Sequence, residues 1–143
     1  FKIAYNRSQT LKGFINGIKI DFIRFDYPHL CNCDIIDGIR FESIPDIIAM
    51  KLLSITDNGS RIKDFIDIAV LSSKFSLEEM LKFYVIKIPN SNIMIPLKAL
   101  TYFDDINFNE TIVMLNFDYN WEKVSERLIN MTKEPNKIFE KLQ

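Results

Sequence analysis

The chain has 143 residues, of which 48% are hydrophobic and 26% charged, and its formal net charge is −1. This size and balance suit one folded domain with a well-filled core and argue against disorder, while the near-neutral charge announces no global basic field for nucleic acid and leaves room for a local basic patch. No apolar run approaches the roughly 18 residues that span a bilayer and no signal peptide is visible, so a cytoplasmic protein without a membrane partner is expected. Two cysteines, Cys31 and Cys33, cannot build a disulfide framework and are expected to stay reduced. The first residue is Phe rather than Met and opens in strand-like sequence, as in a truncated, processed or trimmed polypeptide.

The first third reads as strands. Residues 1–5 are short and mixed, and residues 10–15 lead into Asn16-Gly17, the strongest short hairpin signal. Residues 18–25 return from that turn, with Ile18, Ile20 and Phe22 on one face and Lys19, Asp21, Ile23 and Phe25 on the other. A second hairpin is expected over residues 34–41 with Asp37-Gly38 at its tip. From Ser43 the pattern turns helical: Pro45 fits a first turn, the helix runs to about Thr56, and Asn58-Gly59 ends it. A second helix is expected over residues 61–73, and Ser76-Leu-Glu-Glu79 is a capping box opening a third toward Lys87. Residues 93–103 suggest a short fourth helix, and residues 111–118 fit either a strand or an extended arm. Trp121, Val124, Leu128 and Met131 recur at helical spacing up to Pro135, and residues 137–143 form a last turn or fray. The sum is an α+β arrangement, with a small antiparallel sheet in residues 1–42 and a helical region in residues 43–143 packed on it.

Three groups of residues offer chemistry. Asp21 sits mid-strand on a face that also carries Ile23 and Phe25; an exposed edge position explains it, and so does a role as metal ligand or base. Lys51 interrupts the apolar run of Ile47, Ile48, Leu52 and Ile55, where a solvated lysine is not expected and an unpaired buried ammonium is costly. Asp64 and Asp67, three apart and therefore on one helix face, are the nearest supply of negative charge. Arg61 and Lys63 flank them, and cations held in a cleft suit phosphate recognition. The plainer reading of this group is a structural ion-pair cluster, with Lys63 bonding Asp67 at i,i+4. His29, Cys31 and Cys33, with Asp34 adjacent, alternate on one segment as soft-metal ligands can. With no second Cys pair and no other His, they read as a loop with incidental thiols rather than a zinc site, and no catalytic triad has support. Tyr102, Asp104 and Asp105 are expected in a polar loop.

Taken together, Gly17-Ile-Lys-Ile-Asp21-Phe-Ile-Arg, Tyr27-Pro28, Asp37-Gly-Ile-Arg, Ile44-Pro-Asp46-Ile-Ile-Ala49-Met-Lys51-Leu and Arg61-Ile-Lys-Asp64-Phe-Ile-Asp67-Ile resemble the AbiEii/AbiGii toxins. These are nucleotidyltransferase-like proteins of bacterial abortive-infection and toxin–antitoxin systems, which act in phage defence. The resemblance is dense from Leu11 to Ser73 and looser to about Lys123. It implies a polymerase-β-type fold that transfers a nucleoside monophosphate from an NTP, with carboxylates holding Mg²⁺ ions across an in-line displacement. Asp21 then looks like the third metal-binding carboxylate. Lys51, Asp64 and Asp67 look like residues of later motifs that organise the active site, with Lys51, Arg61 and Lys63 facing the nucleotide. A cognate antitoxin is the implied partner, and the acceptor is left open among a transfer RNA, a protein and a small molecule.

One departure from the pattern carries weight. The family's Gly-Ser followed by Asp-x-Asp or Asp-x-Glu should precede Asp21, yet residues 1–14 contain no acidic residue. The leading expectation is therefore the C-terminal part of such a toxin, catalytically silent by itself. A non-catalytic module that binds an antitoxin or nucleotide, and a degenerate structural remnant, are the rivals. A sheet edge left without its neighbour would favour a homodimer.

Overall fold

The computed structural model describes residues 2–114 and 119–142. Three strands, β1 (Lys2–Arg7), β2 (Thr10–Ile15) and β3 (Ile18–Ile23), form an antiparallel meander in the order β1-β2-β3. Asn16 (φ 51°) and Gly17 (φ 82°) both take left-handed backbone, as a two-residue turn matched to strand twist requires. Lys12 consequently faces Asp21 across the β2–β3 ladder. A separate two-stranded ribbon joins β4 (Asp34–Ile36) to β5 (Ile39–Phe41) through Asp37 and Gly38, again both at positive φ. Both hairpins lie where the turn residues put them. The meander's first strand extends to Arg7, two residues past the expected end, and its third stops at Ile23, two short.

The helices follow as α1 (Ile44–Asp57), α2 (Ile62–Leu71), α3 (Leu77–Lys87), α4 (Met94–Ala99) and α5 (Trp121–Lys133). Ser43 caps α1 by accepting from the Asp46 amide, with Pro45 in the first turn. Beyond its end, Gly59 takes φ +61°, and a Cβ there would sit 3.2 Å from the Ile55 carbonyl oxygen. The Ser76–Glu79 capping box opens α3 with both of its reciprocal bonds present. Asn120 caps α5 by accepting from the Lys123 amide. The fourth helix is shorter than expected, ending at Ala99 because the chain turns through Thr101 and Tyr102, whose amides bond to Lys98 and Ala99. Residues 111–114 have no regular structure, so that part of the ambiguous segment is neither strand nor helix, and residues 115–118 lie outside the described residues. Tyr102, Asp104 and Asp105 lie in the non-helical stretch after α4.

The core is helical. Ile48 and Leu52 of α1, Phe65 and Ile68 of α2, Met80 of α3, and Val124, Leu128 and Met131 of α5 are buried almost completely. Phe65 also stacks edge-on against Phe103 and Trp121, locking α2 to α5 and to the segment after α4. The strands contribute little to this core: Ile3, Tyr5, Phe14, Ile18, Phe22 and Ile23 are exposed. Both faces of β3 carry large apolar side chains, so its alternation does not mark one face for burial. Contact between the strand region and the helices runs mainly through residues 25–31, where Tyr27 packs on the core.

Candidate functional site

Lys51 projects from α1 toward the first turns of α2, where Asp64 and Asp67 share a face. Its Nζ donates to Asp64 Oδ1 at 2.7 Å and lies 2.8 Å from Asp67 Oδ2. Asp64 is 2% exposed and also accepts from Ser54 Oγ at 2.7 Å, so both its oxygens are engaged. Its place in the first turn of α2 adds favourable helix-dipole charge. Burial by itself would push the Lys51 ammonium down, but hydrogen bonds and charge from Asp64 and Asp67 outweigh it and raise its pKa. Lys51 is therefore a fixed cation at the working pH.

The plainer expectation for this helix is corrected on one point. Lys63 does not pair with Asp67; it reaches Glu110 at 2.9 Å, and Asp67 is taken by Lys51. Arg61 is the least committed cation of the group, 59% exposed and 3.9 Å from Asp64 Oδ2. Two cavities open on either side of this ridge. One, of about 400 Å³, has Lys51, Ser54, Arg61 and Asp64 on its wall beside Ile23, Phe25, Met50 and Leu53. The other, of about 170 Å³, is lined by Lys51, Arg61, Lys63 and Asp67 with Ile112 and Met114.

Asp21 is elsewhere. It lies 3.7 Å from Lys12 across the ladder and lines a wide cavity of about 1040 Å³ together with Thr10, Arg24, Arg40 and Glu42. Asp21 therefore does not line the Lys51 cleft; Ile23 on β3 is the wall the two cavities share. Among the described residues, Glu42 is the one other carboxylate that lines the Asp21 cavity, against two arginines, so these residues alone do not make a two-ion magnesium site.

Sequence reasoning missed a second ion pair. Lys87, 1% exposed at the end of α3, donates to Asp46 Oδ1 at 2.5 Å and to the Pro28 carbonyl at 2.9 Å. Asp46 is fully buried and also accepts from Ser43 Oγ and from the amides of Leu30 and Cys31. Burial would raise the Asp46 carboxyl, yet Lys87, Ser43 and those two amides hold it well below the usual carboxylate range. The pair pins the 28–31 loop to α1 and α3. A further cavity of about 500 Å³, between α5 and the C-terminal segment, is lined by Glu126, Arg127, Glu134 and Lys137 and contains none of the residues marked from the sequence.

A sequence model of the nucleotidyl transferase AbiEii toxin, type IV toxin–antitoxin system, matches residues 13–135. The chain belongs to the AbiEii family. All of the Lys51, Arg61, Asp64 and Asp67 cluster and Asp21 fall within the matched AbiEii region. An uncharacterized protein of Aquifex aeolicus (strain VF5) is 33% identical over 134 residues, covering 91% of this AbiEii chain. The alignment covers 63% of that relative's own length, so the chain spans less than two-thirds of the curated relative it matches. No solved structure matches this AbiEii chain. Among the described residues, no helix is long and apolar enough to cross a membrane.

Proposed function

We propose that this chain supplies the nucleotide-binding half of an AbiEii nucleotidyltransferase toxin, taking the phosphates of an NTP on the Lys51–Arg61 ridge. The observation that carries this reading is a charged, immobilised Lys51, clamped by Asp64 and Asp67, on the wall of a cavity whose other side is apolar. Lys51 is committed to Asp64 and Asp67 and Lys63 to Glu110, which leaves Arg61 as the cation with capacity for an incoming anion. Lys51, Asp64 and Asp67 then act as the frame that fixes the ridge, and Ile23, Phe25, Met50 and Leu53 offer surface to a base or ribose. Asp21, in the neighbouring cavity across Ile23 rather than on the ridge, is the one carboxylate offered toward Mg²⁺, and residues 1–20 contain no acidic residue. Residues 1–143 therefore bind nucleotide without turning it over, and transfer requires carboxylates from elsewhere.

As a whole-protein role we infer transfer of a nucleoside monophosphate to an acceptor, with RNA, and transfer RNA in particular, as the first class to test. A cognate antitoxin is the partner that this toxin family brings, the setting is the cytoplasm and the purpose phage defence. β1 and β3 are the outer strands of the sheet formed by the described residues, and such edges would serve a homodimer. A non-catalytic antitoxin-binding module is the competing reading, favoured by the row of exposed apolar side chains on the strands. The test is incubation with labelled NTPs, Mg²⁺ and cellular RNA, using the chain alone and a longer version that carries an upstream Asp-x-Asp segment. The reading expects label transfer only by the longer protein, lost in Asp21→Asn and strongly reduced in Arg61→Ala. Robust labelling by the chain alone, or full activity in both variants, would overturn it.

A further inference from the structure

The sequence sets His29, Cys31 and Cys33 on alternate positions, but the fold selects a different trio. His29, Cys33 and Glu42 bring one ligand atom each into a group whose atoms all lie within 4.8 Å of one another. His29 Nδ1 and Glu42 Oε2 are 3.2 Å apart. Cys31 is left out: it is exposed, and its amide is turned to Asp46. We propose that His29, Cys33 and Glu42 form a binding site for one borderline-soft divalent cation of the Zn²⁺ class.

Three features recommend it. The donor set is one imidazole nitrogen, one thiol sulfur and one carboxylate oxygen, which suits Zn²⁺ or Co²⁺ and disfavours Mg²⁺ and Ca²⁺. Tetrahedral bonds of about 2.0–2.3 Å place neighbouring ligand atoms about 3.3–3.6 Å apart. The His29–Glu42 separation of 3.2 Å is already there, and the widest gap allowed by the 4.8 Å bound closes by about 1.2–1.5 Å. A side-chain rotation of the 59% exposed His29 covers that distance. Finally, the loop carrying His29 and Cys33 is held from beneath. Asp46 takes the Leu30 and Cys31 amides, Lys87 takes the Pro28 carbonyl, and Glu42 directly precedes the Ser43 cap of α1. The ligands are therefore presented by backbone that is fixed before any ion arrives.

The trio lines a cavity of about 540 Å³ together with Ile23, Phe25, Arg40 and Phe41, so a fourth coordination position opens on space rather than on protein. Arg40 makes this no general cation trap; selectivity rests on the thiolate. Binding displaces the Cys33 thiol proton into solvent, and affinity falls as the pH falls. The bound ion ties the loop to the start of α1, close to the Asp21 cavity that Arg40 and Glu42 also line.

The test is anaerobic titration of the chelator-treated protein with Co²⁺, read by the thiolate-to-cobalt charge-transfer band and the ligand-field bands of a tetrahedral ion, followed by displacement with Zn²⁺. The expected result is one equivalent bound, with the charge-transfer band lost in Cys33→Ser, affinity at least about tenfold weaker in Glu42→Gln, and no change in Cys31→Ser. Glu42→Gln alters a half-buried side chain at nearly constant volume, so it decides the matter even if Cys33→Ser fails to fold. Absence of the band in the wild-type protein, its loss in Cys31→Ser rather than Cys33→Ser, or wild-type affinity in Glu42→Gln would overturn the site and leave His29 and Glu42 as a plain surface ion pair.

Discussion

Replacing Lys87 by Met isolates the largest single electrostatic commitment in the fold. The substitution keeps most of the side-chain volume and helix propensity but strips the fully buried Asp46 of its only ionic partner among the described residues. Three weaker donors remain, namely Ser43 Oγ and the amides of Leu30 and Cys31. Lys87 also gives up the Pro28 carbonyl and a position 5.6 Å over the Phe25 ring. Leaving a buried charge without its partner costs about 3–5 kcal/mol. With an unfolding entropy of about 0.3 kcal/mol/K for a chain of this length, the melting temperature falls by about 10–17 °C. Urea and thermal unfolding of wild type and Lys87→Met measure it. The double variant Asp46→Asn/Lys87→Met, which removes both charges, should recover a substantial part of the loss. A loss below about 1 kcal/mol in Lys87→Met, or no recovery in the double variant, would refute the assignment of this pair as buried and coupled.

Other outcomes follow from the same structure. Because the folded Asp46 carboxyl lies below its unfolded value, the stability it confers is present above about pH 3.9 and is lost as the pH falls from there through the folded value. Urea unfolding at a series of acid pH values should therefore show a steeper decline for wild type than for Asp46→Asn. Ser76→Ala removes the capping box of α3 and should cost about 1 kcal/mol by urea unfolding. Leu128→Ala, at a fully buried position of α5, should cost about 2–5 kcal/mol by the same measurement.

What the sequence revealed was what is encoded locally. Asn16-Gly17, Asp37-Gly38 and Ser76–Glu79 are short-range signals, and the turns and cap formed where they stand. Lys51 was legible because a charge inside an apolar helix demands a counter-ion, and Asp64 and Asp67 were the nearest pair on one face. Asp46 and Lys87 were not, since they lie 41 residues apart and each passes for an ordinary dipole-matched residue in a first or last helical turn. His29, Cys31 and Cys33 lie in a loop, as their sequence suggests, but the approach of Glu42 to His29 and Cys33 is not legible in it. Residues 29–33 form a loop bent around Asp46, and Glu42 reaches it only through the second hairpin. The hairpin turns imply the antiparallel pairing that is found, but period-two patterning does not say whether anything covers the sheet.

The central claim is a nucleotide site on the Lys51–Arg61 ridge, and the most direct measurement is equilibrium titration of this chain with each of the four NTPs by calorimetry. Arg61→Ala is the decisive variant, because Arg61 is exposed and its removal leaves the Lys51–Asp64–Asp67 frame intact. The account predicts saturable binding by the wild-type chain, weakened about 10–100-fold in Arg61→Ala, the loss expected for charge-assisted hydrogen bonds worth about 1.5–3 kcal/mol. No binding at millimolar NTP, or equal affinity in wild type and Arg61→Ala, would contradict it.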